Sequence, residues 1–230
     1  IQAGAHSLEK TQQGRGLLLG GAPGVNPANV LILGGGVVGE NAAEIATGMK
    51  AEVTILDKSE QRLKELQNKF GELINPQLID DIDLKALVKE CDLLIGGVLI
   101  PGSNAPKLVS KEMINLMKRG SVIVDVAIDQ GGCVATSKPT THANPTYLVN
   151  EVVHYCVTNM PGGVPMTSTL ALNVATLPYI LKLAQLGYKN ALSSDINFLA
   201  GLNLCKGQVT YKAVAEDLGY EYVNPNLAIN

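Results

Sequence analysis

The sequence predicts an α/β fold, a doubly wound parallel Rossmann sheet with a partial second lobe made mainly of helices. Three observations predict it. Apolar runs such as residues 30–33 and 121–126 lack polar alternation, as strands covered on both faces do. These runs alternate along the chain with segments of helical spacing. A content of 46% hydrophobic and 17% charged residues over 230 positions is enough to bury a sizeable core.

Taken in order, residues 1–13 read as a helix that Gly14-Arg15-Gly16 ends, because glycine relieves the steric cost of a helix stop. A short apolar run at 17–19 leads into a turn-rich stretch, 20–27, and then into the strand 30–33. A glycine loop follows, then a helix over 37–49 and a second strand over 52–56. Residues 60–70 have helical spacing with Leu63, Leu66 and Phe70 on one face. Further on, the spacing predicts helices over 84–89 and 111–117, strands over 92–95 and 121–126, and a buried strand over 152–157. The breaker-rich link 160–165 marks a change of character. Beyond it, Thr167, Ser168 or Thr169 can cap an apolar helix running to about residue 186, and an amphipathic helix closes the chain near 211–218. The domain reading is a connecting helix at 1–13, a dinucleotide-binding domain at 14–164, and a linking helix with part of a second lobe at 165–230. That last stretch is too short for an independent core.

The formal charge of −3 argues against a nucleic-acid or anionic-membrane surface. No apolar run reaches the roughly 18 residues that span a bilayer, and a cytoplasmic protein is expected. Cys91, Cys133, Cys156 and Cys205 are too scattered for a zinc site or a disulfide framework, so four reduced thiols are expected. The chain opens at Ile1, inside what reads as the end of a helix, as a piece of a longer protein would.

Gly34-Gly35-Gly36-Val37-Val38-Gly39 fits GxGxxG. The first glycine permits the tight turn, the second lets backbone approach a pyrophosphate, and the third lets helix pack on strand, with the helix N-terminus facing the phosphates. Alone the pattern is weak, since glycines cluster in ordinary loops. Here it follows an apolar strand, opens a helix, and precedes a second strand ending in Asp57, near the spacing of a ribose-binding carboxylate. That acid favours NAD over NADP, because it repels a 2′-phosphate; Lys58 and Arg62 close by could blunt the preference, but such a pair is more often a solvated face. Past the strand 121–126, Asp129 beside Gly131-Gly132 suits either proton transfer near a nicotinamide or a loop cap, and spacing leaves the two open. Asp125 is the rival acid. His6, His142 and His154 read as ordinary surface or hydrogen-bonded residues.

Several long motifs resemble alanine dehydrogenase, a family of NAD-dependent enzymes interconverting L-alanine with pyruvate and ammonia. They are residues 14–25, 33–39, 99–109 and 125–133, then Asn159-Met160-Pro161 and the stretch from Thr167 to Tyr179. The resemblance covers essentially the whole chain. It implies that Asp129 is catalytic and that Val37, Val38, Asp57, Arg62, Val98, Leu99, Ile128, Asp129, Asn159 and Met160 line NAD beside Gly34, Gly36 and Gly39. It implies a homo-oligomer (a hexamer in the family) and a preceding segment that carries a catalytic His and the basic residues gripping the substrate carboxylate. The histidines here therefore do not inherit that role. Two other readings remain: the NAD-binding component of a transhydrogenase, against which Ile128-Asp129-Gln130 counts, and a non-catalytic NAD-binding fragment.

Overall fold

A computed structural model describes residues 1–98 and 105–229. The described residues up to Met160 form one compact unit, and those from Pro161 onward a second.

In the first unit a short helix, α1 (Gln2–Ser7), precedes the sheet. It ends well before the expected residue 13, and a 3₁₀ turn at Lys10–Gln12 follows. Gly14 lets the chain fold back there: a Cβ on it would lie 2.3 Å from the carbonyl oxygen of Ser7. The elements then run β1 (Asn29–Leu33), α2 (Val37–Gly48), β2 (Glu52–Asp57), α3 (Glu60–Phe70), β3 (Ile74–Leu78), α4 (Leu84–Glu90), β4 (Leu93–Gly96), α5 (Lys111–Ile114), β5 (Val122–Asp125), β6 (Thr146–Val149) and β7 (Val152–Tyr155).

Seven strands form one sheet in the order β3-β2-β1-β4-β5-β7-β6. All pairings are parallel except β6 with β7. Every residue of β4 and β5 is buried, as the unbroken apolar runs require. Two apolar layers form the core, one on each face of the sheet. On one of them α2 presents Gly39, Ala42, Ala43 and Ala46, and small residues let this helix lie close to the strands. The strand order reverses direction between β1 and β4, so their carboxyl ends open a crevice, the usual ligand position of such sheets.

The two strands the sequence does not announce, β3 and β6, are the sheet's edges. The β3 segment, Ile-Asn-Pro-Gln-Leu, contains Pro76, which an edge tolerates because no partner needs its missing N–H. Only one residue of β3 is fully buried and none of β6.

In the second unit, α6 (Pro165–Ser193) starts two residues before the expected cap and runs on past residue 186, with a break from helical geometry at Gly187 (φ 70°, ψ 158°). By length and composition alone it is long and apolar enough to cross a membrane, contrary to the expectation from uninterrupted runs. Averaging over Thr, Ser and Asn hides what a strict run excludes. α7 (Ile196–Ala200), β8 (Leu204–Cys205), β9 (Gln208–Val209), α8 (Lys212–Leu218) and α9 (Pro225–Ala228) complete the unit. Asp195 caps α7 by accepting from the amides of Asn197 and Phe198, and pairs with Lys182 at 3.3 Å. A small core of Leu192, Leu199, Cys205, Ala228 and Ile229 holds these pieces together.

Candidate functional site

At the crevice, the glycines divide the work in a way distances make explicit. Gly34 ends β1 at φ +95°, a conformation L side chains rarely adopt, and a Cβ there would lie 2.9 Å from the carbonyl oxygen of Gly97. A Cβ on Gly39 would fall 1.8 Å from the carbonyl oxygen of Gly34, so only glycine lets α2 sit this close to β1. Gly36 differs: a Cβ on it would meet nothing within 4 Å. It is the N-cap of α2, without a side-chain cap, so the first-turn N–H groups have no cap partner there. Open space over the N-terminus of a twelve-residue helix is where an anion such as pyrophosphate fits. Val37 is 79% exposed on that opening turn, and Val38 is more covered, beside Gly97.

Asp57, the last residue of β2, holds this loop. Its carboxylate accepts from the amide of Gly35 at 2.7 Å and from that of Ser59 at 2.9 Å. A carboxylate has about four acceptor positions, so capacity remains for ribose hydroxyls. Arg62, one turn into α3, donates from Nε to the carbonyl of Gly35 at 2.7 Å. Its terminal nitrogens pair with Glu40 and, at 3.0 Å, with Glu65. Lys69 pairs with Glu40 at 2.8 Å and with Glu44 at 3.0 Å. Lys69 and Arg62 hold the Glu40 carboxyl below the usual carboxylate range.

The two candidate acids part company. Asp125 is fully buried at the end of β5 and is saturated: it accepts from the amides of Cys133 and Val134 at 3.3 and 3.1 Å and from the Ser137 hydroxyl at 2.6 Å. Gly96 and Gly132 leave room for it, since a Cβ on either would lie within 3 Å of its carboxylate. Asp125 thereby pins the segment 126–137 to the sheet. On that segment a 3₁₀ turn, Val126–Gln130, carries Asp129, which is exposed. Lys107 fixes the far side by donating to the carbonyls of Gly131 and Gly132, the latter at 2.8 Å. Ile128 is buried, which leaves its backbone rather than its side chain for a ligand.

Asn159 is exposed and left-handed (φ 52°), with its carbonyl accepting from His142 Nε2 at 3.1 Å; Met160 is half-buried against the core. Val98 is half-buried beyond β4, and Leu99 lies outside the described residues. His154 is fully buried. Its Nδ1 donates to the Val152 carbonyl at 3.0 Å, which leaves Nε2 to accept from the Thr136 hydroxyl at 2.7 Å. Burial lowers its basicity, and it stacks on Tyr147. Four free cysteines are all buried; burial pushes the Cys91 thiol up to about 12, and burial beside Asp125 raises Cys133 further. Among the described residues no group of His, Cys, Asp and Glu is arranged to hold a metal.

Sequence reasoning missed Glu40, Lys69 and Lys107. Glu40 directly follows the third glycine, yet its partners lie 22 and 29 residues away and only the folded sheet brings them together.

The sequence pattern of the alanine dehydrogenase/PNT C-terminal domain family matches residues 1–212. The chain is 58% identical to an alanine dehydrogenase of Halomonas elongata over 223 residues, 97% of this chain and 60% of that protein. A solved L-alanine dehydrogenase superposes with a TM-score of 0.87 at 50% identity, covering 95% of this chain and 60% of the other. A transhydrogenase from Sinorhizobium meliloti is more distant, with a TM-score of 0.59 and 27% identity over 73% of this chain and 50% of that one. The chain thus spans about 60% of the length of the curated relatives it matches.

Proposed function

Since the chain belongs to the alanine dehydrogenase/PNT C-terminal domain family, we propose that it binds NAD(H) and forms the cofactor half of an alanine dehydrogenase. The reaction is the reversible oxidative deamination of L-alanine to pyruvate and ammonia. The observation that carries this reading is the open space at Gly36 over the N-terminus of α2, beside an Asp57 carboxylate already locked to the loop. In that arrangement Gly34, Gly36, Val37, Val38 and Gly39 cradle the pyrophosphate, and Asp57 accepts from the adenosine ribose. Val98, Leu99, Ile128, Asn159 and Met160 line the nicotinamide side.

When bound, NAD+ supplies the acceptor for a hydride from the alanine α-carbon. Asp129, exposed on its pinned turn, stands free to hold or release a proton at the reacting amino group. The segment 126–137, fastened by Asp125 and Lys107, keeps that carboxylate in place. On this reading 14–164 is the dinucleotide domain, 1–13 a connecting helix, and 165–230 part of the substrate lobe. The protein acts in the cytoplasm as a homo-oligomer, with no membrane or nucleic-acid partner, and its four buried free thiols suit a reducing compartment. The weaker likeness to transhydrogenase, together with Asp129, favours the dehydrogenase.

This chain alone is expected to bind NADH and not to oxidise alanine, because it spans only about 60% of the length of the alanine dehydrogenases it matches. Calorimetric titration with NADH should give one site per chain, and a flat titration overturns the reading. Alanine-dependent NADH production by the purified chain overturns the second half.

A further inference from the structure

The charges flanking Asp57 are arranged as a set. Beyond the end of β2, the carboxylates of Glu40, Glu44 and Glu65 hold two cations of α3, Arg62 and Lys69, in ion pairs. Arg62 is the cation nearest the glycine loop, since its Nε bonds the Gly35 carbonyl. A guanidinium there is the natural partner of a dianionic phosphate on the adjacent ribose, through paired charge-assisted hydrogen bonds. It has no free fork to offer: one terminal nitrogen is held by Glu40 and the other by Glu65. Glu40 also holds Lys69, so a single carboxylate occupies both cations.

We propose that Glu40 determines cofactor specificity: by holding Arg62 and Lys69 it denies both to a ribose 2′-phosphate, and so excludes NADP(H) where Asp57 alone would only disfavour it. This rests on the dinucleotide reading above. Arg62 is then a steric and backbone support of the loop rather than a phosphate ligand. Its cation is present in the sequence and cancelled in the fold. The pairing with Glu40 removes the blunting of the Asp57 preference that an unheld Arg62 could supply.

The test compares NADH and NADPH binding, by nicotinamide fluorescence titration, in the unaltered chain and in Glu40→Gln. Glutamine keeps the size and some hydrogen bonding of Glu40 and removes its charge. NADPH affinity relative to NADH should rise about fivefold, the scale of one unit charge acting on a dianionic phosphate across a wet surface. NADPH binding by the variant should also weaken more steeply with salt. The gain, read as the NADPH-to-NADH affinity ratio, should vanish once both cations are also removed, in Glu40→Gln/Arg62→Gln/Lys69→Gln. An unchanged NADPH-to-NADH ratio in Glu40→Gln, with NADH binding intact, overturns the inference and leaves exclusion to Asp57. A gain that persists without Arg62 and Lys69 also overturns it. Failure of the unaltered chain to bind NADH overturns this inference together with the dinucleotide reading.

Discussion

Asp125 and Asp129 lie four residues apart and have opposite physical situations. Spacing could not settle their roles, because Asp125 lies within an apolar strand and Asp129 just past it, beside a glycine pair. What separates them is tertiary: Asp125 is buried and accepts from two amides and a hydroxyl, whereas Asp129 is exposed. Asparagine at 125 would aim an N–H₂ at donors that already point inward, leaving a buried amide unsatisfied. Asp125→Asn should therefore cost about 2–4 kcal/mol of stability in urea denaturation, within the range for a broken buried network. Asp129→Asn should stay within about 0.5 kcal/mol, as exposed substitutions do. In the longer protein Asp129→Asn should lose most turnover while keeping NADH affinity. If instead Asp129→Asn destabilises as much as Asp125→Asn, the turn that carries it is a structural cap. Asp57 was legible because a fixed spacing from the glycines announces it; Glu40 was not, since its role depends on cations contributed by the next helix.

Among the elements, α3 is the one whose bounds the sequence reads without error, from Glu60 to Phe70. Its signals are local: Ser59 accepts from the amide of Arg62, and Leu63, Leu66 and Phe70 repeat at helical spacing. Edge strands β3 and β6 send weaker signals, because a strand with one neighbour and partial burial needs no apolar run. The loop from β1 into α2 was legible as a motif, and its geometry now assigns each glycine a separate duty. Gly36 stands over open space at an ordinary negative φ (−66°), so Gly36→Ala should fold with unchanged stability. Its methyl would project toward the pyrophosphate, and NADH affinity should fall at least about tenfold. Gly39→Ala faces the opposite problem, a Cβ 1.8 Å from the Gly34 oxygen, and should lose several kcal/mol of stability. Titration and thermal melting of the two variants check this; a Gly36→Ala that binds NADH normally would place the phosphates elsewhere.

At the scale of the whole molecule, a doubly wound parallel sheet covered on both faces follows from apolar runs and helical spacing, while the strand order, the two edges and the break at Gly187 do not. The pH dependence of stability likewise escapes sequence reading, because it turns on groups whose basicity burial lowers, the Ile1 amine and above all His154. His154 donates from Nδ1 and accepts at Nε2, so the native site fits the neutral ring, and burial holds its pKa below the usual imidazole range. In the unfolded chain the same ring binds a proton near pH 6.5. Below that pH the unfolded state therefore holds more protons than the native one, and stability falls as pH falls. The carboxyls of Glu40, Glu112 and Asp195, held low by their partners, stay ionised across the same window. From pH 7.5 to 5.5 the unfolding free energy should decline, with a slope of at most about 1.4 kcal/mol per pH unit for each proton involved. His154→Gln should be less stable at pH 7.5, through loss of the stack on Tyr147, and should show a flatter profile over that range. Urea denaturation at a series of pH values measures both. An unaltered slope in His154→Gln would mean that His154 takes up its proton in the folded chain as readily as in the unfolded one.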